Sequence, residues 1–518
     1  MIAIVGAGFS GIGMGVKLKE AGLDFVILER AADLGGTWRD NDYPGCACDV
    51  PSHVYSYSFE LNPDWSQEYA PQAEIQAYLR HVADKYGVTE HIRFNQEVGA
   101  AAWSEAEQEW RIETGAGEWR ARYLVAAAGP LSEPVIPALP GLESFEGASF
   151  HSAEWDHEHR LEGERVAVVG TGASAIQFVP QIQPQVAELK LFQRTPPWIV
   201  PRMNRRIGPR RRRLMRRFPP VMKLTRAALY AFQEARVLGF RKPRIMWLPK
   251  RVALHHLRRQ VPDSKLRARL TPDYVIGCKR ILVSDDYLPS LSEPNVEVID
   301  GGLREVRPRS VVDSVGAEHT VDTIIFGTGF EVTEPPIAGA VRGRDGRTLA
   351  EHWAGGMQAH RGTTVAGFPN LFFLLGPNTG LGHNSIVYMI ESQLRYVMGC
   401  LAEIDRRGAG AFEVREDVQR EFNEGLQGQM EGTVWTAGQC QSWYLDAQGR
   451  NTTIWPSWTF RFRRLLRRFD PEAYEFRPPR PAGDAPVPAG GEAATPGSGP
   501  RPANPADGAD PVPAGPVG

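Results

Sequence analysis

The sequence predicts an α/β protein with two Rossmann-like dinucleotide-binding domains, and two glycine-rich turns carry that prediction. The first, Gly6-Ala-Gly-Phe-Ser-Gly11, stands almost at the N-terminus, and the second runs from Gly170 to Ala175. Each follows a short apolar run typical of a buried strand and precedes a helical pattern. That context distinguishes a nucleotide-binding turn from a chance pattern of glycines. A length of 518 residues leaves room for two or three domains with cores of their own.

The composition gives no sign of a nucleic-acid-binding, secreted or membrane-spanning protein. Its 59 Lys and Arg are balanced by 61 Asp and Glu, which leaves a formal net charge of −2. Five cysteines are an odd number that does not suggest a disulfide framework and that suits a reducing cytosol. The first residues run directly into a predicted strand, so no signal peptide is expected, and no apolar run reaches the roughly 18–20 residues of a membrane span. We therefore expect a soluble, cytoplasmic protein.

The first glycine turn has the residues of a dinucleotide site. Gly6 permits the tight turn, Gly8 lets the backbone approach a pyrophosphate, and Gly11 lets the helix pack against the strand. The N-terminus of that helix offers free N–H groups and a partial positive charge. The next strand, 25–28, is followed by Glu29, whose carboxylate would accept hydrogen bonds from ribose hydroxyls and repel a 2′-phosphate. The turn therefore favours FAD or NAD and does not decide between them.

The second glycine turn differs from the first in the residue that follows its next strand. The turn consists of Gly170, Gly172 and Ala175. The strand at 188–192 leads to Arg194 and Thr195, with no acidic residue in the position that Glu29 has in the first fold. A guanidinium at this point favours a 2′-phosphate over a free ribose hydroxyl. The second site is therefore predicted to bind NADPH in preference to NADH.

Two further stretches resemble fingerprints of the type I Baeyer–Villiger monooxygenases. The first lies between the glycine turns and has the spacing F-x-G-x-x-x-H-x-x-x-W-[P/D], which is filled by Phe145, Gly147, His151, Trp155 and Asp156. The second, 35–49, matches [AG]-G-x-W-x-x-x-x-[FY]-P-[GM]-x-x-x-D at every specified position and ends at Asp49. The alternative for the first stretch is that His151 and Trp155 only pack a domain junction. The alternative for the second is an ordinary packed loop at 35–49.

The resemblance implies an FAD-dependent, NADPH-consuming enzyme that inserts one oxygen atom from O₂ next to a ketone carbonyl, through a C4a-peroxyflavin, to give an ester or lactone. It assigns FAD to the first fold, as in two-dinucleotide-binding-domain flavoproteins. Its catalytic residues would be Arg280, a permanent cation beside the reacting oxygen, and Asp49, which orients it. The other cofactor-binding residues implied by the resemblance are Gly36, Thr37, Trp38, Tyr43, Gly129, Lys279, Gly329, Asn378 and Trp443. An N- or S-oxygenating flavin monooxygenase is the alternative, because it shares both nucleotide folds.

Two further pairs of residues lie in segments that are expected near the flavin. The segment 382–385 precedes a predicted helix whose N-terminus faces the flavin in proteins of this build, so His383 and Asn384 are interpreted as flavin neighbours or helix caps. Cys46 and Cys48 lie within the second fingerprint. We interpret them as small packing residues. The redox cysteines of flavin disulfide reductases are usually spaced more widely, and a metal would need more ligands than the sequence offers nearby.

The motifs also predict the domain boundaries. We expect an FAD-binding domain at 1–140 and 325–477, an NADPH-binding domain at 141–199 and 270–324, and a basic helical insertion at 200–269. From 478 to 518 the chain is rich in Pro, Ala and Gly, and we expect a disordered tail.

The basic stretch 202–269 is the part of the sequence where the resemblance is loosest. Arginines alternate there with apolar residues, and acidic residues are very few. Such a pattern suits solvated helical faces, a helix on a membrane surface or an RNA-binding arm, and base-reading motifs are missing. We expect a small ketone and O₂ as the partners of the protein, together with a weak membrane-surface contact through 202–269. A flavin-bearing protein that docks on a membrane or partner through this stretch is the competing function.

Overall fold

The computed structural model describes residues 1–438, 440 and 442–480. The strands of this part of the chain are β1 Ile2–Val5, β2 Phe25–Leu28, β3 Ile92–Arg93, β4 Val98–Ser104, β5 Glu109–Thr114, β6 Gly117–Ala121, β7 Tyr123–Ala126, β8 Ala148–His151, β9 Arg165–Val169, β10 Glu188–Gln193, β11 Ile199–Val200, β12 Leu282–Val283, β13 Val296–Asp300, β14 Leu303–Arg307, β15 Ser310–Asp313, β16 Glu318–Thr320, β17 Thr323–Phe326, β18 Val341–Arg342, β19 Leu371–Phe373, β20 Ala411–Val414 and β21 Tyr474–Arg477.

The helices account for most of the remaining regular structure. They are α1 Phe9–Glu20, α2 Thr37–Asp40, α3 Gln72–Lys85, α4 Ala175–Ile182, α5 Pro209–Arg217, α6 Pro219–Ala235, α7 Val237–Arg241, α8 Trp247–Gln260, α9 Ser264–Arg269, α10 Tyr287–Ser290, α11 Ile337–Ala340, α12 Leu349–His352, α13 Ile386–Arg407, α14 Glu416–Met430, α15 Val434–Ala437 and α16 Thr459–Leu466. Short 3₁₀ turns lie at Thr89–His91, Leu142–Ser144, Ser152–Glu154, Pro243–Met246 and Pro471–Ala473.

Two five-stranded parallel sheets confirm the predicted α/β class. The first has the order β19-β7-β1-β2-β3 and places Ile2 opposite Phe25. Every residue of β1, β2 and β7 is buried. Continuous apolar strands of this kind are typical of a parallel sheet that is covered on both faces, which is why their sequences do not alternate. The first glycine turn follows β1, at the carboxyl edge of this sheet.

The second sheet has the order β13-β10-β9-β17-β8. All of its pairings are parallel. The fingerprint between the two glycine turns contributes β8 to the edge of this sheet. The strand Thr323–Phe326 lies between β9 and β8. The boundary predicted between residues 324 and 325 therefore runs through a strand of the second sheet.

Smaller sheets and the insertion complete the fold. An antiparallel unit, β14-β15-β16, extends the second fold, and β4, β5 and β6 pair antiparallel beside the first. Helices α5 to α9 occupy the region predicted as a basic insertion, from Pro209 to Arg269. One cluster of buried apolar side chains runs through both parallel sheets, with Ile4 and Val168 both fully buried in it. No helix in the described ranges is long and apolar enough to cross a membrane.

The cysteines depart from the expectation of an unlinked set. Cys278 and Cys440 form a disulfide with their Cα atoms 6.3 Å apart, while Cys46, Cys48 and Cys400 are free and buried. The expectation was wrong because the partners are separated by 162 residues, and only the folded chain brings them together.

The predicted tail lies mostly outside the described residues, which end at Arg480. Its first residues are bonded to the body of the fold through Gln108. The Gln108 amide N–H donates to the Pro478 carbonyl oxygen over 3.1 Å, and the Arg480 N–H donates to the Gln108 side-chain oxygen over 3.0 Å. The prediction of disorder is therefore wrong for 478–480.

Candidate active site

One cleft of about 1270 Å³ brings the two glycine turns together. The predicted site residues that line it are Gly6, Gly8, Glu29, Gly36, Thr37, Trp38, Tyr43, Asp49, Gly129, Gly170, Gly172, Arg194, Thr195, Lys279, Arg280, Gly329 and Trp443. Residues from both folds and from the loop after β2 thus face one volume. Gly11, Ala175 and Asn378 are predicted site residues that do not line it.

The first glycine turn has the geometry of a phosphate-binding turn. Gly6 has φ +101°, and a Cβ there would lie 2.8 Å from the Ala127 carbonyl oxygen, so only glycine fits. A Cβ on Gly11 would collide with the Gly6 carbonyl oxygen, which explains its place behind the turn rather than in the cleft. Helix α1 begins at Phe9 without a side-chain cap, and its first N–H groups remain for an anionic ligand. The turn fits a pyrophosphate.

Glu29 is held at the edge of the cleft by three donors. Its carboxylate accepts hydrogen bonds from the Ala7 N–H at 2.7 Å, the Ala31 N–H at 3.0 Å and the Arg39 guanidinium at 2.8 Å. A carboxylate offers about four acceptor positions, so roughly one remains for a ribose hydroxyl. Arg39 was missed from the sequence because it occupies an unspecified position of the fingerprint. Its charge neutralises Glu29 in the folded protein.

The second glycine turn lies beside two cations. Gly170 has φ +109° and packs against the Gly327 carbonyl oxygen. The ammonium of Lys279 lies 5.0 Å from the centroid of the Tyr274 ring. Burial, and then the neighbouring guanidinium of Arg194, lower the pKa of Lys279 below its usual value. Two like charges near each other, neither paired with a carboxylate among the described residues, fit an anion such as a 2′-phosphate.

Asp49 and Arg280 form a bidentate ion pair in the cleft. Arg280 Nε donates to Asp49 Oδ2 and Arg280 Nη2 donates to Asp49 Oδ1, both over 2.8 Å. The side chains are 25% and 33% exposed, respectively. The charge of Asp49 raises the pKa of Arg280, so the guanidinium stays protonated. Its Nη1 forms no hydrogen bond with any described residue and remains available as a donor.

Tyr444 is a neighbour of this pair that the sequence did not indicate. Its hydroxyl is buried and has no hydrogen-bond partner in the described part of the chain. Burial raises the pKa of Tyr444 to about 12, with Arg280 opposing and Asp49 adding to the shift. The phenol is therefore protonated at neutral pH. Nothing in the sequence around Tyr444 marks it, because the contact joins segments far apart in the chain.

Loop 35–49 forms an aromatic wall that is bonded to the second fold. Trp38 Nε1–H donates to the Tyr55 hydroxyl over 3.1 Å. The Tyr43 hydroxyl donates to the side-chain oxygen of Gln177, at 3.0 Å, and the amide N–H of Gln177 donates to the Ala47 carbonyl oxygen, at 2.9 Å. Gln177 belongs to α4 in the second fold. It was missed because the fingerprints describe each fold separately.

The cysteines of this loop are packed in the interior. Burial raises the pKa of Cys46 to about 12, and it also raises the pKa of Cys48, so both thiols stay protonated at neutral pH. No group of three or more His, Cys, Asp or Glu within the described ranges is arranged to hold a metal ion.

The five residues of the fingerprint between the folds lie behind the cleft rather than in it. The ring of His151 is fully buried and packs edge-on against Phe330, which lines the cleft, at 5.6 Å between ring centroids. Burial lowers the pKa of His151 to about 4, and its Nδ1 accepts the Ala153 N–H at 3.1 Å. Trp155 packs against Phe178 of α4 at 5.4 Å. His151 thus contacts the cleft wall through Phe330, and Trp155 contacts it through Phe178, which packs against Tyr43 at 6.0 Å.

The remaining fingerprint positions have local structural contacts. Gly147 packs against the Asp322 carbonyl oxygen, which leaves no space for a side chain. Phe145 is partly buried against the core of the second fold. The Asp156 carboxylate accepts the N–H groups of Glu158 and His159, at 3.0 and 3.1 Å.

Four predicted neighbours of the cofactors lie in different surroundings. The Asn378 amide donates to the carbonyl oxygens of Asn451 and Ile454, at 2.9 and 3.1 Å, and does not line the cleft. Trp443 lines the cleft and is 43% exposed. Asn384 lines the cleft, whereas His383 is buried behind it.

The chain is similar to known proteins in sequence and in fold. Residues 3–219 match the family described as pyridine nucleotide-disulphide oxidoreductase. The chain is 53% identical to a Baeyer–Villiger monooxygenase of Pseudomonas aeruginosa, over 91% of this chain and 90% of that protein. It is 51% identical to a Baeyer–Villiger monooxygenase of Streptomyces coelicolor, over 93% of each. A solved structure of OTEMO in complex with FAD and NADP superposes with a TM-score of 0.83 at 26% identity, covering 92% of this chain and 99% of that one.

Proposed function

The chain belongs to the Baeyer–Villiger monooxygenases, and from that premise we propose how its own residues carry out the reaction. The protein is a flavin monooxygenase that uses FAD and NADPH and inserts one oxygen atom from O₂ next to a ketone carbonyl. When bound, NADPH supplies the hydride and the reduced flavin activates O₂. We propose the roles of individual residues from their contacts in the cleft.

The ion pair of Asp49 and Arg280 carries the mechanistic proposal. Oxygen insertion places negative charge on the carbonyl oxygen of the substrate, and a fixed donor stabilises it most in a site that excludes water. Arg280 stays charged at any working pH and keeps Nη1 free. Asp49 holds the guanidinium through the other two nitrogens, so the donor is oriented before substrate arrives. We assign Arg280 as the catalytic cation and Asp49 as its positioning residue.

The two nucleotides are proposed to bind in the cleft that contains this pair. Glu29 accepts a ribose hydroxyl of FAD with its remaining acceptor position, while the first N–H groups of α1 bind the pyrophosphate. Arg194 and Lys279 bind the 2′-phosphate of NADPH, whose charge relieves the repulsion between them. This places both cofactors in the one cleft that the glycine turns share.

The test is incubation of the purified protein with FAD, NADPH, O₂ and a panel of ketones, followed by mass spectrometry. We expect an ester or lactone that contains one oxygen atom more than the ketone, and that atom should be ¹⁸O when ¹⁸O₂ is supplied. An amine and a thioether in the same panel test the N- or S-oxygenating alternative. Oxidation of the thioether without any ester from the ketones would favour that alternative.

We also propose that the insertion at 202–269 rests on an anionic membrane surface. Ten of the seventeen exposed large apolar side chains in the described chain lie between Met203 and Val252. Leu224 and Phe232, on one face of α6, are 72% and 69% exposed. Between residues 202 and 262 there are 19 Lys or Arg and one acidic residue, Glu234. A second copy of the chain would bring the same positive charge to this surface, whereas anionic lipid complements both the charge and the apolar side chains.

Vesicle flotation tests this contact. Wild-type protein should float with vesicles containing anionic lipid, less so at high salt, and not with purely zwitterionic vesicles. A Leu224→Ser, Phe232→Ser variant should lose the binding, while Val315→Ser, at a position 84% exposed outside the insertion, should keep it. Equal flotation of both variants would refute the proposed surface.

The predicted cytoplasmic location stays a proposal. The Cys278–Cys440 disulfide weighs against the reducing compartment on which that prediction relied.

A further inference from the structure

Glu234 is the single acidic residue between residues 202 and 262, and it points into the protein. It lies near the end of α6 and is 4% exposed. Its carboxylate accepts hydrogen bonds from the Asn384 amide at 2.7 Å, the Thr459 hydroxyl at 2.7 Å and the Thr459 N–H at 2.5 Å. The ring of His383 lies 3.6 Å away. A carboxylate buried on a surface-exposed helix costs free energy unless such donors surround it, so its place calls for an explanation.

The donors connect three separate segments at one wall of the cleft. Asn384 lines the cleft, and its side-chain oxygen accepts the Ser385 N–H at 2.8 Å. Ser385 in turn caps α13, and its hydroxyl oxygen accepts the Val387 N–H at 3.3 Å. Ile386 and Ile390, in the first turns of α13, also line the cleft. Glu234 therefore orients the residue that precedes the cap of α13.

The negative charge of Glu234 lies beside His383 and at the N-terminal end of a helix. Thr459 is the first residue of α16, so its N–H belongs to the positive end of that helix. Burial raises the pKa of Glu234, but the donors His383, Thr459 and Asn384 together lower it below its usual value. The carboxylate is thus ionised at neutral pH, close behind the N-terminus of α13. It offsets part of the positive potential that this N-terminus presents to the cleft.

We propose that Glu234 is a positioning residue for the flavin, which sets both the place of Asn384 at the cleft wall and the potential that α13 presents there. The inference rests on the proposed binding of FAD in this cleft. It also gives the insertion a role in the enzyme that is independent of any membrane contact. Glu234 touches neither cofactor nor substrate, and acts through Asn384 and the helix N-terminus.

A Glu234→Gln variant tests the proposal. The amide keeps the volume but loses the charge, and its NH₂ group faces the donors of Asn384 or Thr459. We expect FAD to dissociate about tenfold more readily, as for the loss of one charge-assisted hydrogen bond. The midpoint potential of the bound flavin should become more positive, because a negative charge near the reduced ring is removed. The KM for NADPH should not change.

Two further variants separate position from charge. Tyr230→Phe removes a hydroxyl that bonds to the Thr459 hydroxyl at 2.9 Å and leaves Glu234 intact, so it should keep the wild-type potential. Asn384→Ala should weaken FAD binding while the potential stays near that of the wild type, and it decides the matter if Glu234→Gln does not fold. A folded Glu234→Gln or Asn384→Ala protein with wild-type affinity for FAD would overturn the inference. Wild-type protein that does not bind FAD would instead overturn the proposed function.

Discussion

Replacing Arg280 with alanine should separate the two halves of the reaction. Flavin reduction by NADPH depends on the nucleotide sites, which lie on Glu29, Arg194 and Lys279, and should change little. Oxygen insertion should fall about 100- to 1000-fold, the usual effect of removing one fixed donor to a developing oxyanion. A Coulomb estimate agrees in order of magnitude, because two unit charges about 4 Å apart at an effective dielectric constant of about 20 interact by about 4 kcal/mol.

The fold should tolerate this change. Arg280 is one third exposed, so loss of its pair with Asp49 should lower the free energy of unfolding by only about 1 kcal/mol. Arg165→Ala is a matched control, because Arg165 binds Asp322 with the same bidentate geometry, at 2.9 and 2.6 Å, away from the cleft. Anaerobic stopped-flow measures flavin reduction, and gas chromatography measures the ester.

Consumption of NADPH with release of H₂O₂ should replace ester formation in Arg280→Ala. A variant that forms ester at the wild-type rate would refute the role of the cation. Equal loss of flavin reduction and ester formation would show that Arg280 acts on nucleotide binding instead.

Three further outcomes follow from the structure. Arg194→Ala should raise the KM for NADPH about 10- to 150-fold, as expected for the loss of a charge-assisted hydrogen bond, and should leave the KM for NADH unchanged. Arg304→Ala, at an exposed position, is the control. Equal effects on the KM values for NADPH and NADH would refute the assignment of Arg194 to the 2′-phosphate. His151 has its pKa lowered to about 4 by burial, so its contribution to stability is present above the unfolded pKa of about 6.5 and is lost as the pH falls towards 4. Urea unfolding at pH 7 and pH 5 should show this loss, and His151→Gln should reduce it. Cys440→Ser should lower the free energy of unfolding by about 2–4 kcal/mol, and a dithiol should destabilise the wild type but not the variant, unless Cys278 and Cys440 are not linked in solution.

The parts of the site that could be predicted from sequence are those fixed by local backbone geometry. Gly6 and Gly170 stand in turns that only glycine allows, and Glu29 and Arg194 stand at equivalent ends of the next strands. The family resemblance added Asp49 and Arg280, which the structure brings together although 231 residues separate them. That pairing depends on tertiary structure and has no local signal.

Of the residues that sequence reasoning missed, Gln177, Tyr444 and Glu234 contact distant segments, whereas Arg39 bonds to Glu29, 10 residues away. Arg39, Gln177, Tyr444 and Glu234 each occupy a position that no motif specifies. A buried glutamate in an arginine-rich stretch could have been noticed as the exception to its surroundings, but its partners could not. The disulfide was missed for the same reason, because an odd number of cysteines does not say which two meet.

The amide of Gln177 restricts how the two nucleotide folds can move against each other. It is bonded to Tyr43 and Ala47, in the very loop that ends at Asp49. Each such hydrogen bond contributes about 0.5–1.5 kcal/mol, so a movement of the second fold away from loop 35–49 is opposed because it breaks both bonds. Gln177 and the Asp49–Arg280 ion pair thus oppose the same relative motion, because both join loop 35–49 to the second fold.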